Sequence, residues 1–348
     1  MIDIERLYPK DSVVLHVTEA LNGGIHTALV HIIKMHPDCR HVLLIDSHSR
    51  DPLSPIEDFE QSRVTVIRWK RGYYNRIKHL RQVESTLCPS YIHLHSSWAG
   101  FFGRIFPLSA QIFYSPHAFA FQRRDVSIIA RAFFFCIELV LQLNTDINIA
   151  FWPIEHEYFH KIAPAKKNRF NPLLILCILK KRNEPIEFAK VGNLKPRIVC
   201  VGRISVQKDP KFFIDTIKII KRSVDIDVTW IGGGAGTPSK DFEDAGIEVL
   251  EWLHPNSITK VLKNSHLSLI TSAWESGPLT VYESLSSGAP VVWRNIGANR
   301  FLNWDHGNTP NEVAETVMDF LNLRKLDLLR DQKSSVISQL NLLLQKLG

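Results

Sequence analysis

The sequence predicts an α/β chain made of two parallel-sheet domains, and three observations lead there. Its 348 residues exceed what one hydrophobic core usually holds. Short apolar runs alternate with segments whose apolar residues recur at helical spacing, the pattern of βαβ units. That rhythm breaks once, near Asn171-Pro172, and then begins again.

VVLHVT (13–18) reads as a strand, followed by a Gly-Gly loop and the helical IHTALVHIIKM; HVLLID, VTVIRW and YIHLHS follow as strands. After the break, residues 173–196 read as a connection rich in Lys, Pro and Asn behind one apolar run. The second alternation starts at RIVCVGR and continues through DVTWIGGG, HLSLITS and APVVWR. Residues 311–348 carry helical spacing without strand signals. The expected division is therefore a domain over 1–172, a linker over 173–196, a second domain over 197–310 and terminal helices over 311–348. Those helices are free to pack back on the first domain. AFFFCIELVLQL, interrupted by Glu138, and LLILCIL fall short of membrane-spanning length and read as buried helix or strand.

Apolar residues make up 45% and charged residues 22%, as in an ordinary globular protein. Cys39, Cys88, Cys136, Cys177 and Cys200 are widely spaced, with no C-x-x-C, so neither a disulfide framework nor a zinc ribbon is expected. The opening MIDIERLYPKDS has no apolar core and does not read as a signal peptide, which points to the cytoplasm. A net charge of +7 suggests an anionic partner: nucleic acid, an acidic membrane or a diphosphate ligand. No RNA-binding signature or helix-turn-helix spacing accompanies it, so nucleic acid is set aside.

The most informative stretch is TSAWESGPLTVYESLSSGAPVVWR. A strand ends near Ser272, Pro278 suits a helix's first turn, and Gly288 with Pro290 stops that helix. Glu275 then lies in the loop before the helix and Glu283 inside it. The N–H groups around Ser276 and Gly277 sit at a positive helix end, where a phosphate binds well. A carboxylate beside it can accept hydrogen bonds from sugar hydroxyls, and one further along can hold a ribose. Upstream, VGRISVQKDP puts Arg203 and Lys208 just after a strand, two cations able to neutralise a leaving diphosphate in place of a metal.

The R-x4-K pair Arg203/Lys208, the E-x7-E pair Glu275/Glu283 and the Gly turn in WIGGGAG resemble the signatures of glycosyltransferase family 4, the group 1 transferases. LNGGIHTALVHII, YIHLHSSWAGFFGRI and FYSPHAFAFQRRD look like its bacterial polysaccharide members. The resemblance covers most of residues 13–305. It implies a GT-B fold, with two Rossmann-like domains facing a central cleft, the donor on the C-terminal one and the acceptor on the N-terminal one. It implies retaining, metal-independent transfer, with no cofactor, from a nucleotide-diphosphate sugar to a glycan or lipid-linked acceptor in lipopolysaccharide or capsule synthesis. By motif match, Arg203 and Lys208 hold the diphosphate, Glu275 the sugar hydroxyls and Glu283 the ribose. Ser276, Gly277, Pro278 and Leu279 join the donor site. Gly23 and Gly24 let backbone approach the phosphates, and His117 lies near the donor sugar. The chain departs from the family after Asn171-Pro172, where LLILCILKKR replaces a polar linker.

Each motif alone has a plainer reading: a solvated pair for Arg203/Lys208, a surface position for Glu283, a turn for Gly23-Gly24, a loop histidine for His117. His93 and His95 share one side of a strand, with no third metal ligand evident, and read as structural. Asp225-x-Asp227 matches a metal-binding D-x-D but lacks its companions. From Arg63 to Arg81 the basic residues 63, 68, 70, 71, 76, 78 and 81 have no acidic neighbour, and Trp69, Tyr73 and Tyr74 interleave. That run is either a solvated basic face or a patch for anionic lipid on the inner face of the plasma membrane. Two other functions fit the same motifs: a nucleotide-sugar epimerase of this fold, and a non-catalytic nucleotide-sugar-binding protein on a degenerate transferase scaffold.

Overall fold

A computed structural model describes residues 6–19, 21, 23–46, 59, 64–180, 195–233, 240–323 and 325–347. It divides into two units, Met1–Leu174 and Ile175–Gly348.

The first unit runs β1 (Val13–Thr18), α1 (Gly23–Met35), β2 (Arg40–Asp46), β3 (Thr65–Trp69), α2 (Tyr73–Leu87), β4 (Tyr91–His95), α3 (Ser97–Arg104), β5 (Gln111–Ser115), α4 (Ile128–Leu141), β6 (Ile147–Ala150), α5 (Pro153–Ile162) and β7 (Lys167–Phe170). Among the described residues its sheet is parallel, in the order β3-β2-β1-β4-β5-β6-β7. Strand alternation sends Leu15, Val17, Val42, Leu44, Ile92, Leu94, Ile112 and Tyr114 to one face, where α2, α3 and α4 pack on them. The other face carries His16, His41, His93 and His95 between apolar neighbours.

Helix α6 (Leu173–Lys180) spans the boundary between the units, and Leu174, Ile175, Ile178 and Leu179 are buried. The apolar run is thus a buried helix as the sequence predicts, while the rest of the expected linker, 181–194, lies outside the described residues.

The second unit runs β8 (Arg197–Val201), α7 (Pro210–Ile220), β9 (Asp227–Gly233), α8 (Lys240–Asp244), β10 (Glu248–Glu251), α9 (Pro255–Asn264), β11 (Leu267–Ile270), α10 (Leu279–Ser287), β12 (Val291–Trp293), α11 (Pro310–Asn322) and α12 (Lys325–Leu347). The strand order β10-β9-β8-β11-β12 repeats the first unit's pattern of two strands to one side of the first and the rest to the other. Pro210 opens α7 where a missing N–H is harmless, and the Asp209 side chain accepts from Phe212 N–H. Thr309 and Glu312 form a capping box at the start of α11, which packs on α7. Gln332 of α12 bonds both the N–H (2.8 Å) and the C=O (2.6 Å) of Val291, so it satisfies the outer edge strand β12.

One sequence expectation is overturned here. AFFFCIELVLQL is not buried on all sides. Most of it forms α4, whose outward face leaves Phe133 62% and Val140 65% exposed.

Candidate active site

In a doubly wound sheet, ligands bind beyond the carboxyl ends of the strands where the strand order reverses. Here those points fall between β1 and β4 and between β8 and β11. The sequence motifs fold onto both.

In the second unit, Val201 leads into Gly202, whose φ is +154°. A Cβ on Gly202 would come within 2.8 Å of the Lys208 side chain, so glycine here lets the lysine stem lie against the backbone. The turn Val206–Lys208 then sets Lys208 beside the loop after β11. Lys208 Nζ lies 2.6 Å from Glu275 Oε1, with the two side chains 18% and 10% exposed. Ser272 Oγ donates to the same carboxylate oxygen (2.9 Å), and Gln207 Nε2 donates to the other (3.1 Å). Two loops distant in sequence are tied together by Ala273 N–H to Gln207 O (2.8 Å) and Thr271 Oγ1 to Lys208 O (3.0 Å). Beneath them Arg294 Nη1 reaches Asp209 Oδ2 (2.7 Å), and its guanidinium lies 3.9 Å from the Phe212 ring centroid. Such a network fixes rotamers that an isolated surface pair leaves free.

Ser276 is buried, Gly277 and Glu283 are half-buried, and Pro278 caps α10, so the helix starts at Leu279. Pro278 brings no side-chain cap, and within the first turn Val281 N–H turns back to Pro278 O (3.0 Å), so the positive helix end is closed by backbone rather than by a side chain. Gly288 ends α10 at φ +92°, the left-handed stop the sequence predicts. Arg203 is exposed, in the loop two residues past β8. Of the Gly turn, Gly232 and Gly233 end β9, and residues 234–236 lie outside the described residues.

In the first unit, Gly23 and Gly24 begin α1 beyond β1, and His117 follows β5 at φ +55°. His117 Nε2 lies 3.0 Å from His95 Nδ1, His95 Nε2 lies 3.1 Å from His16 Nδ1, and His16 Nε2 lies 3.0 Å from His41 Nδ1. His41 Nε2 faces the backbone oxygen of His36 at 2.9 Å. Burial drives the His16, His93 and His95 imidazoles well below their ordinary pKa and brings His117 down to about 4, so all four are neutral at pH 7. Neutral rings beside a carbonyl have one consistent assignment. His41 Nε2 donates to the carbonyl, each next ring donates to its neighbour, and His117 donates through Nε2, which leaves its Nδ1 as a bare acceptor. His93 stands beside this chain, donating through Nε2 to Ser115 Oγ (2.8 Å) and accepting the Tyr8 hydroxyl proton.

Residues 195–322 match the family model described as glycosyl transferases group 1. The second unit is a group 1 glycosyltransferase domain. Over 341 residues, 90% of this chain and 92% of its relative, the sequence is 25% identical to an uncharacterised 41.2 kDa protein in the cps region of Klebsiella pneumoniae. It is 27% identical over 240 residues to the UDP-Gal:alpha-D-GlcNAc-diphosphoundecaprenol alpha-1,3-galactosyltransferase of Escherichia coli, covering 61% of this chain and 59% of that enzyme. Anabaena HepE, solved with UDP and glucose, superposes with a TM-score of 0.71 at 15% identity, over 94% of this chain and 95% of that one. That last likeness identifies the fold as GT-B.

In this glycosyltransferase the structure unites Lys208 with Glu275, and it sets Ser276, Gly277, Pro278 and Leu279 in the same loop and helix start. His117 and the Gly23-Gly24 turn belong to the first unit's carboxyl edge. Sequence reasoning missed Gln207 and Ser272, the groups that orient Glu275. The only signal was their adjacency to Lys208 and Glu275, and polar loop residues are too common for that to stand out. It also missed Glu19, whose carboxylate accepts from Ser96 Oγ and Ala99 N–H at the start of α3, and whose pKa burial raises.

His93 and His95 gain the third histidine that spacing did not show: ring nitrogens of His16, His93 and His95 lie within 4.8 Å of one another. Hydrogen bonds already engage both nitrogens of each ring. The D-x-D pair lies elsewhere. Asp225 and Asp227 are ion-paired with Lys195 (2.7 Å) and Arg197 (3.9 Å) at the amino edge of the second sheet. They line a cavity of about 1070 Å³ there, at the edge opposite the Lys208–Glu275 pair. In the basic run, Arg76 is turned inward onto Asp46 and the Trp69 and Phe102 rings, Trp69 is buried, and Arg63 lies outside the described residues. Arg68, Lys70, Arg71, Lys78 and Arg81 are exposed, as are Tyr73 and Tyr74.

Proposed function

We propose that this glycosyltransferase moves a hexose, with retention and without a metal, from a nucleoside-diphosphate sugar to a lipid-linked saccharide at an anionic membrane surface. The observation that carries this reading is the Lys208–Glu275 pair at the strand-order reversal, next to a helix start without a side-chain cap. Lys208 and Arg203 supply positive charge for a departing diphosphate, and the α10 N–H groups add to it. Glu275, held by Gln207 and Ser272, is an acceptor for sugar hydroxyls rather than a proton base. The acceptor oxygen then attacks on the face the phosphate leaves, and the phosphate takes the proton. Glu283 binds the ribose. The lipid-linked acceptor rests on the likeness to the diphosphoundecaprenol galactosyltransferase, which also makes UDP-galactose the first donor to test. The membrane surface rests on the exposed basic residues of β3 and α2.

A panel of nucleoside-diphosphate sugars screened by thermal stabilisation tests the donor. The matching donor at 100 times its Kd should add about 2.7 kcal/mol to stability. That shift should persist in EDTA and vanish in Lys208→Ala. Proton NMR of the product should show the donor's anomeric configuration. No shift with any nucleotide sugar, or an inverted product, overturns the reading.

A further inference from the structure

Helix α4 has its polarity reversed. Between Asp125 and Asp146 the charged residues are Arg131 and Glu138, and both turn inward. Arg131 Nε donates to Phe121 O (2.9 Å). Glu138 takes Arg104 Nη2 (2.8 Å) and the Tyr114 hydroxyl (2.9 Å) in the buried layer. The outward positions are Ile128, Ile129, Ala132, Phe133, Cys136, Leu139, Val140 and, in the following turn, Leu143, all exposed. They recur at the 3.6-residue period of one helix face, and Ile129 and Leu143 reach 78% and 79% exposure. Monomeric soluble proteins rarely leave so continuous an apolar stripe to water.

The surroundings of the stripe indicate what covers it. Helices α2, α3 and α4 share one core on one sheet face. Tyr73 of α2 touches the Trp98 and Phe102 rings of α3, and Arg104 of α3 pairs with Glu138 of α4. In a parallel sheet the helices start at the carboxyl edge, so Tyr73, Tyr74, Trp98, Ile128 and Ile129 gather at the edge that carries His117. Exposed Arg68, Lys70, Arg71 and Arg124 stand at that edge, where Asp125 pairs with Arg123, while Lys78 and Arg81 lie further along α2, Arg81 over the Phe106 ring beyond the far end of α3 at 5.0 Å. An apolar strip with aromatic ends and basic flanks matches the depth profile of an anionic bilayer: acyl chains below, headgroups above. The same flanks, and the net charge of +7, repel a second copy. Among the described residues no helix is long and apolar enough to cross a membrane, so the fit is to a helix lying in the interface.

We infer that α4 is an interfacial membrane helix, seating its Ile128–Leu143 stripe among the acyl chains of an anionic bilayer while the α2 cations bind headgroups. This rests on the membrane reading above only for its biological purpose; the surface itself stands on α4. It places the carboxyl edge of the first sheet where a lipid-linked acceptor is presented.

The test is sedimentation of the full chain with sucrose-loaded vesicles of phosphatidylglycerol and phosphatidylcholine, or of phosphatidylcholine alone. The wild type should partition at least ten-fold more strongly to the anionic vesicles. Ile129→Asp/Phe133→Asp and Val140→Asp should each lose ten-fold or more, with unchanged melting temperature because those side chains are already in water. Donor-induced thermal stabilisation, measured without lipid, should be unaltered in these variants, which separates failure of this inference from failure of the donor reading. Wild-type sedimentation by the Asp variants overturns the inference. So does a wild type that is dimeric by analytical ultracentrifugation and indifferent to vesicles while Ile129→Asp/Phe133→Asp is monomeric, which would make the stripe a subunit interface.

Discussion

The two units wind their sheets in the same order around the same reversal point, yet at that point they hold different chemistry, the first unit's Arg76–Asp46 ion pair lying one strand away at the end of β2. The second unit keeps charges there, Lys208 against Glu275, both partly open to water. The first keeps neutral imidazoles in a chain that runs under its sheet from His41 to His117. The difference is one of solvation. An ion pair is tolerated where each partner meets the other and some water; histidines buried together shed their protons instead. One edge is built to meet charge, the other to hold a polar ring in a fixed tautomer.

The largest break in this contrast comes from Lys208→Ala. Removing a charged hydrogen bond from the donor edge should cost about 2–4 kcal/mol in the transition state, or roughly 30- to 1,000-fold in kcat/KM. Circular dichroism should remain native. Arg203→Ala should act in the same direction, and near-normal turnover in both would take these residues out of the site.

Glu275→Gln should do less. The amide still accepts from Ser272 but loses the ion pair with Lys208, so the sugar is held off its reactive position rather than deprived of a base. About a ten-fold loss in kcat, not recovered at higher pH, is the expected profile. Recovery with a shifted pH optimum would reveal a proton-transfer role.

A third experiment separates the units by acid. His16, His93, His95, His117 and His156 of the first unit have folded pKa values below the unfolded value of about 6.5. Below that pH the unfolded chain binds protons the folded chain refuses, so stability present above 6.5 is lost as pH falls toward about 4. Glu155 opposes this, because burial raises it to about 8, and its contribution is lost as pH rises. Glu19, also raised by burial, acts in the same direction, and between 6.5 and 4.5 the several lowered histidines outweigh the two glutamates. In the second unit, among the described residues, His306 is the histidine lowered to about 4. Hydrogen exchange at pH 7.5 and pH 5 should therefore show the first unit opening more readily on acidification. Equal protection loss in both units would refute the neutral-histidine description.

The smallest effect is spectroscopic. Nitrogen-15 NMR of His117 should show a proton on Nε2 and a bare Nδ1. His16→Asn should blur that assignment while moving the melting temperature by only a few degrees. A proton on Nδ1 in the wild type would reverse the whole chain of donors.

Much of the fold is legible in the sequence because parallel strands buried on both faces read as short apolar runs. VVLHVT is β1, and the two alternations become the two sheets, each strand within a few residues of its expected ends. The strands that were not legible were INIA (β6), KNRF (β7) and EVLE (β10), too short or too charged to stand out. The donor motifs were legible because Pro, Gly and charged residues fall at fixed offsets around a helix start. Gln207 and Ser272 were not, since a polar loop residue declares its partner only once the loop is folded.

By itself, then, the sequence determined the two alternations, the helix that begins past Pro278 and stops at Gly288, and the cations and carboxylates available to the donor. These follow from local preference and periodicity, which act within a few residues. Tertiary structure alone decided that Lys208 meets Glu275 across 67 positions, that histidines from separate strands join into one neutral chain, and that α4 turns its charges in and its isoleucines out. Periodicity marks which residues share a helix face, but which face meets the core depends on partners such as Arg104 and Tyr114, brought there only by the packing of one βαβ unit on the next.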